Sequence, residues 1–549
     1  MMPDKLQNKL ILVILNKLNN VQLKKLKCDA AQSEGDPNTM TTPAEKLAQS
    51  LEVLRRLQDH GQSVIRSADL SRIQRERLVA NGFLLEVMKG WYIPSRPEES
   101  AGDSTGWYAS FWGFCAAYLR ERFGADWCLS PEQSLSLHAG NRTVPRQLLV
   151  RSPKARNKVT GFPHGTSVLD VRSAMPDVKA IEEKEGLRLF SASAALIACS
   201  PGFYTQNPTD ARAALSMIRE ASDILARLLE GGHSIIAGRL AGAFRNIGRN
   251  RIADDILKTM LSAGYSVREK DPFTAAPLAI LSTRETSPHV NRIRLMWQQM
   301  RGPVIERFPP SPGKPDDSDA YLKRVEEIYV SDAYHSLSIE GYRISPELIQ
   351  RVRGGKWNPD ASDTDRDYRN ALAARGYWQA YQAVRESVRR VLKGENPGTV
   401  ADEDHGAWYR EMFAPSVTAG LLRTSDLAGY RNDQVYIRRS MHVPPSPEMV
   451  RDLMPVFFDL LREETEPPVR VVLGHFVFVY IHPYMDGNGR IGRFLMNLML
   501  ASGGYPWTVV PVEQRNVYMA ALEDASVQQD IGPFTEFLAT LVSQGLDVS

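Results

Sequence analysis

The sequence predicts a mainly α protein: an all-α C-terminal region with a β-hairpin flap, an N-terminal winged helix-turn-helix and an α/β middle region. Three observations carry this prediction. From Asp317 onward apolar residues recur at helical spacing, as in Tyr321, Val325, Ile328 and Tyr329. The apolar run 469–481 and the apolar, helix-favouring run 494–500 flank a glycine-containing polar loop, which reads as helix, loop, helix. Near the N-terminus, 83–87 and 91–93 flank Met88-Lys89-Gly90 as a small hairpin.

At 549 residues the chain is too long for one ordinary core, so several domains are expected. With 43% hydrophobic and 24% charged residues it has a soluble globular composition, and a net charge of +3 is too small to argue nucleic-acid binding. Cys28, Cys115, Cys128 and Cys199 are scattered with no C-x-x-C pair, which indicates neither zinc nor a disulfide framework and fits a reducing cytoplasm. The apolar run 10–15 is too short for a membrane span, lacks a small-residue cleavage site and is not read as a signal peptide.

Residues 1–40 carry six Lys before Cys28 and then Ser, Gly, Pro, Asn and Thr. They read as a loosely ordered leader, with Met40 an alternative start. Thr42-Pro43-Ala44-Glu45 opens a helix, and Leu47, Leu51, Leu54 and Leu57 follow at helical spacing. Ser67 is expected to cap a short helix. Residues 71–81 read as a third helix bearing Arg72, Arg75 and Arg77, ended by Gly82. Three helices and a hairpin over 41–97 make a winged helix-turn-helix, whose third helix would enter a DNA major groove with those arginines as candidate contacts. The same arrangement also serves protein contacts, with the arginines merely solvated.

Residues 98–300 form the middle region. Trp107, Tyr108, Phe111, Trp112 and Phe114 make a buried aromatic segment; 130–138 reads as helix or loop; 147–150 and 167–171 read as strands; the chain turns helical from Asp210. The pattern of residues 78–93 together with Ser134-Leu135-Ser136-Leu137-His138 resembles the AbiEi-type antitoxin family of type IV toxin–antitoxin systems, over roughly 45–265. That resemblance implies an N-terminal domain that binds operator DNA. Five prolines, Pro303, Pro309, Pro310, Pro312 and Pro315, mark 301–316 as a linker, and the main boundary is placed there.

Residues 317–549 hold the chemistry, in His482-Pro483-Tyr484-Met485-Asp486-Gly487-Asn488-Gly489-Arg490-Ile491-Gly492-Arg493. Gly487 and Gly489 allow tight turns that bare backbone amides, and the helix starting near Arg490 adds a positive N-terminal dipole. Arg490 and Arg493 share a helix face, and guanidinium suits phosphate. Asp486 is a candidate ligand for Mg²⁺, which takes one or two carboxylates plus phosphates. His482 at the lip is placed to accept a proton from a hydroxyl. The stretch resembles the Fic family motif H-P-F-x-D/E-G-N-G-R-x-x-R, with Tyr484 where Phe is usual. The resemblance implies transfer of AMP from ATP to a protein hydroxyl, with His482 as base, Asp486 as metal ligand, the Gly487–Gly489 amides as anion hole, Asn488 on the α-phosphate, and Arg490 and Arg493 on phosphates.

Ser336-Leu337-Ser338-Ile339-Glu340-Gly341 by itself reads as an ordinary helix end. Ser336, Glu340 and Gly341 also match the Fic inhibitory motif S/T-x-x-x-E-G/N, which implies a Glu340 carboxylate on Arg493. Ala419-Gly420-Leu421-Leu422-Arg423 and Ala428-Gly429-Tyr430-Arg431 both resemble the family's lead-in to a target-docking β-hairpin flap; the second, followed by Gln434-Val435-Tyr436-Ile437, is favoured, and a plain surface hairpin is the alternative. Two rivals stay open: removal of AMP at the same site, and a DNA-binding regulator whose Fic domain senses nucleotide. The expected partners are a target protein with a hydroxyl side chain, DNA and a second copy of the chain, with no membrane.

Overall fold

The computed structural model describes residues 42–357 and 368–548, apart from 61, 96, 98–102 and 275–286. The expected leader 1–40, with Cys28 and Met40, lies outside them. The fold is mainly helical with small sheets. The described residues divide into two compact units: one runs up to Pro288 and includes Asp433–Val443, the other takes the rest.

In the first unit, Thr42 caps α1 (Pro43–Asp59) through a reciprocal capping box with Glu45, as the sequence signals. Then come β1 (Ile65–Arg66), α2 (Arg72–Ala80), β2 (Leu84–Met88) and β3 (Trp91–Pro94). The sheet order is β1-β3-β2. Leu51, Leu54, Leu70, Leu78 and Phe83 form a core beneath it. The expected short helix after Ser67 is a turn, because the Asp69 carboxylate accepts the Arg66 N–H at 2.7 Å and closes the chain locally.

The arginines of α2 work mostly inward. Arg77 donates to Lys46 O at 2.8 Å and Ser50 Oγ at 2.9 Å, and so staples α2 to α1. Arg75 donates to Ser67 O at 3.2 Å. Arg72 pairs with Glu76 on the surface. All three candidate DNA contacts thus have partners within the unit, two of them away from the surface pair.

The middle region is built on α3 (Thr105–Phe123), whose aromatic residues are buried. A four-stranded sheet, order β4-β5-β7-β6, comprises β4 (Cys128–Leu129), β5 (Gln147–Ser152), β6 (Lys158–Gly161) and β7 (Ser167–Arg172). β5 and β7 lie where strands were expected and pair in parallel. Between β4 and β5 comes α4 (Pro131–His138), capped by Ser130. A hairpin of β8 (Ile181–Lys184) and β9 (Leu187–Phe190) follows. Then come α5 (Ala192–Ala198), α6 (Gly202–Gln206), α7 (Pro208–Ser216), α8 (Ser222–Glu230), α9 (Ser234–Asn246) and α10 (Asn250–Ser262).

The segment Asp433–Val443 belongs to this first unit. Gln434-Val435-Tyr436-Ile437, expected as a flap strand, carries no β-ladder. Val443, Tyr436 and Met441 instead pack on the aromatic core around Trp107 and Phe111. Met441 O accepts from Val144 N at 2.9 Å, and Arg438 Nε donates to Asp103 Oδ2 at 3.0 Å. These contacts take up backbone and apolar groups that a flap would offer to a partner strand.

The second unit begins with α11 (Pro288–Arg307), so the boundary at 301–316 is displaced toward the N-terminus. Pro303 sits inside α11. Its lost hydrogen bond is outweighed by the buried stripe Ile293, Met296, Trp297, Met300 and Val304. The remaining prolines lie in a loop tied down by Ser311 Oγ on Gly503 O and Tyr505 Oη on Pro309 O, each 2.7 Å. Next come α12 (Ser318–Ile339), α13 (Pro346–Arg353), α14 (Tyr368–Leu392), α15 (Pro397–Thr418) and α16 (Pro447–Glu463). α17 (Pro467–Ile481) and α18 (Asn488–Ser502) form the centre, followed by α19 (Arg515–Glu523) and α20 (Gly532–Val548). α17 is apolar all round because it is buried on all sides, which overrides the β-propensity of its valines.

Candidate active site

The loop between α17 and α18 is held in one shape by its own side chains. His482 ends α17 in the left-handed region, at φ 55°, a costly conformation for a residue with a Cβ and one characteristic of functional sites. Gly487 follows at φ 82°, and a Cβ there would lie 2.8 Å from the Phe413 ring, so glycine is required twice over. Asn488 is buried. Its Oδ1 accepts from Tyr484 N and its Nδ2 donates to Tyr484 O, both at 2.8 Å. The amide expected on phosphate is therefore spent on closing the loop.

His482 Nδ1 lies 3.1 Å from Val479 O. A carbonyl only accepts, so Nδ1 carries the hydrogen and Nε2 keeps its lone pair. Burial, seconded by the Arg431 cation, pushes the imidazole down to about 4, so it is neutral near pH 7. The residue is half-buried. The result is a base with its free nitrogen fixed by its neighbours.

Arg490 is 1% exposed and Arg493 is 3% exposed. Burying a guanidinium is costly unless it is paired. Yet Arg490 Nε and Nη2 and Arg493 Nη1 are buried with no hydrogen-bond acceptor among the described residues. Asp486 Oδ1 forms an ion pair with Arg490 Nη2 at 3.3 Å, outside hydrogen-bond geometry. The same oxygen accepts the Gly487 N–H at 2.6 Å, so that amide is not bare as expected. Gly487 precedes α18 as its cap and offers no side-chain bond, which leaves the first-turn amides free of a side-chain cap beside two cations. The site is built for an anion.

The carboxylate of Glu340, at the end of α12, fills part of that place. Arg493 Nη2 donates to Glu340 Oε1 at 2.8 Å and to Ser336 O at 3.0 Å, while its Nε donates to Ser336 Oγ at 2.9 Å. A Cβ on Gly489 would collide with Glu340 Oε1. Helix end and loop are thus in direct contact, and Gly341 closes α12 at φ 88°.

Residues 403–500 match the Fic/DOC family. This chain carries a Fic domain. The match begins inside α15 and ends in α18, so it includes the whole loop. The chain is 40% identical over 237 residues to the protein adenylyltransferase Fic of Drosophila willistoni, covering 42% of this chain and 44% of that protein. It is 27% identical over 278 residues to the protein of the same name from Nematostella vectensis, covering 50% and 61%. The matches span less than two thirds of either relative. A solved fragment of Fic-1 from C. elegans is similar over 59% of this chain and 91% of its own, at 22% identity and a TM-score of 0.35.

The Fic domain has supports that its motif does not spell out. Arg431 is buried, and its Nε donates to His482 O at 2.8 Å while its N–H donates to Pro483 O at 2.9 Å. Its Nη2 reaches Pro445 O. In sequence Arg431 reads only as part of the lead-in to the flap, and no local pattern marks it as the brace of the loop. Tyr484 is buried and stacks on Tyr409 with ring centroids 4.0 Å apart, so the tyrosine in place of phenylalanine is accommodated as an aromatic wall. Asp486 is the one exposed carboxylate of the loop, and among the described residues no three His, Cys, Asp or Glu cluster as a metal site. That donor set fits Mg²⁺ only together with nucleotide phosphates, which supply the other ligands.

Proposed function

We propose that this protein transfers AMP from ATP to a Ser, Thr or Tyr hydroxyl of a target protein, and that Glu340 holds the reaction off. The observation that carries the reading is the pair of buried arginines on α18, one with unmet donors and the other occupied by a carboxylate. Nucleotide phosphates supply the anion these groups lack, and the relatives' names give the reaction class.

In the reaction the target hydroxyl oxygen attacks the α-phosphorus, and its proton passes to Nε2 of His482. The bond from the α-phosphorus to the bridging oxygen breaks, and pyrophosphate leaves with the electron pair. Arg490, Arg493 and the first-turn amides of α18 hold the phosphates and stabilise the charge that builds on them. Arg431 keeps His482 in position through its carbonyl. Asp486 is the residue that would hold Mg²⁺, which when bound neutralises phosphate charge. Glu340 competes with phosphate for Arg493 and repels it, which disfavours the productive pose. The buried free thiols Cys115, Cys128 and Cys199 support a reducing compartment such as the cytoplasm.

The test is incubation of wild type, Glu340→Gly and Glu340→Gly/His482→Ala with α-labelled ATP and Mg²⁺. Weak label on wild type, strong label on Glu340→Gly and none on the double variant is the expected result. A Glu340→Gly protein as dark as wild type overturns the inhibition. Release of AMP from a modified protein by wild type would favour the reverse reaction at the same site.

A further inference from the structure

The Arg490 guanidinium lies over two aromatic rings. Its Cζ is 5.1 Å from the centroid of Phe413 on α15 and 5.4 Å from that of Tyr342. Phe413 also lies against Gly487, so one ring supports both the loop and the guanidinium. Tyr342 comes from the turn that presents Glu340. The Gly341 N–H bonds Ser338 O at 3.0 Å and the Tyr342 N–H bonds Leu337 O at 3.1 Å, the paired closure of a Schellman cap. Tyr342 is therefore placed by the same backbone geometry that places Glu340. Its ring also lies 5.8 Å from the exposed Arg369.

We propose that Tyr342 is a positioning residue for nucleotide phosphate: with Phe413 it clamps the Arg490 guanidinium, so that the end of α12 touches both phosphate arginines, Arg493 through Glu340 and Arg490 through Tyr342. Two buried nitrogens of this guanidinium have no hydrogen-bond acceptor, and its ion-pair partner Asp486 is an exposed side chain, so little else fixes its orientation before an anion arrives. Two aromatic faces fix it, and cation–π attraction is strongest where water is excluded. The clamp persists when Glu340 swings away, because the cap bonds that hold Tyr342 are backbone bonds. The turn thus separates two tasks: Glu340 blocks one arginine and Tyr342 readies the other.

This inference rests on the proposed transfer reaction for its activity readout, but nucleotide binding tests it independently. In the Glu340→Gly background, Tyr342→Ala and Tyr342→Phe are compared by ATP titration and by label transfer, with thermal midpoints as a check on folding. Tyr342→Ala is expected to weaken ATP binding by roughly tenfold, as for loss of a buried cation–π contact, and Tyr342→Phe to restore it. Transfer should fall mainly through a raised KM for ATP. Unchanged ATP affinity in a folded Tyr342→Ala protein overturns the clamp. Failure of Tyr342→Phe to restore binding also overturns it, because the hydroxyl and not the ring would then be the working part. If Glu340→Gly transfers no label while the titration behaves as expected, the transfer reaction fails and the clamp stands.

Discussion

The two arginines of α18 face opposite fates in the resting protein. Arg493 has three contacts on the last turns of α12, and Arg490 has two aromatic faces but no acceptor for two of its buried nitrogens. Removing Glu340 takes from Arg493 its carboxylate partner, so Glu340→Gly should cost about 1–3 kcal/mol of stability, the usual penalty for a stranded buried donor. ATP should recover part of that loss, and a thermal-shift titration should therefore show a larger rise for Glu340→Gly than for wild type. A second prediction concerns His482. Its imidazole is held down to about 4, so the free base is already the dominant form across pH 7.5 to 5.5. Transfer by Glu340→Gly should not fall along the curve of an ordinary histidine over that range, and an acid limb centred near pH 6.5 would contradict the geometry.

At the scale of elements, the site depends on how closely α14 and α15 approach. Gly376 on α14 lies against the backbone of Met412 on α15, where a Cβ would collide with the carbonyl. Met412 precedes Phe413, so any separation of these helices moves the ring under Gly487 and Arg490. Gly376→Ala is expected to destabilise the second unit by about 1–3 kcal/mol, as overpacking does, and to lower transfer in the Glu340→Gly background. Chemical denaturation with paired activity assays would show both effects together. Activity unchanged after a clear loss of stability would mean that the crossing does not position the site.

The pH response belongs to the whole molecule. His475 is buried on α17 with its Nε2 2.7 Å from Tyr518 Oη, and burial pushes it down to about 4. Burial also lowers His138 in the first unit and His405 in the second. In the unfolded chain these rings take a proton near pH 6.5, whereas in the fold they resist it. The unfolded state then binds more protons, so stability rises with pH and is lost as pH falls through 6.5 toward 4. For His475 this amounts to up to about 1.4 kcal/mol per pH unit in that window, and His138 and His405 act in the same direction. Thermal midpoints from pH 7.5 to 5 should therefore fall, and fall less steeply in His475→Gln. Among the described residues no helix is long and apolar enough to cross a membrane.

The sequence by itself determined the elements whose signals are local. Thr42 marks a helix start through a hydrogen bond spanning three residues, and the β-hairpin of β2 and β3 follows from a short turn between apolar runs. The loop from His482 to Arg493 was legible because its chemistry falls within twelve consecutive positions. Tertiary structure alone decided what depends on distant partners. The Gln434–Ile437 stretch reads as a strand by composition, but its fate was set by the apolar surface around Trp107. The prolines from Pro303 to Pro315 read as a linker, but a buried stripe and two hydrogen bonds from distant residues anchored them in a unit. Arg431, Phe413 and Tyr342 act across gaps of more than fifty residues, on His482, Gly487 and Arg490. Side-chain spacing along one chain carries no information about such contacts; only packing brings those groups within reach of each other.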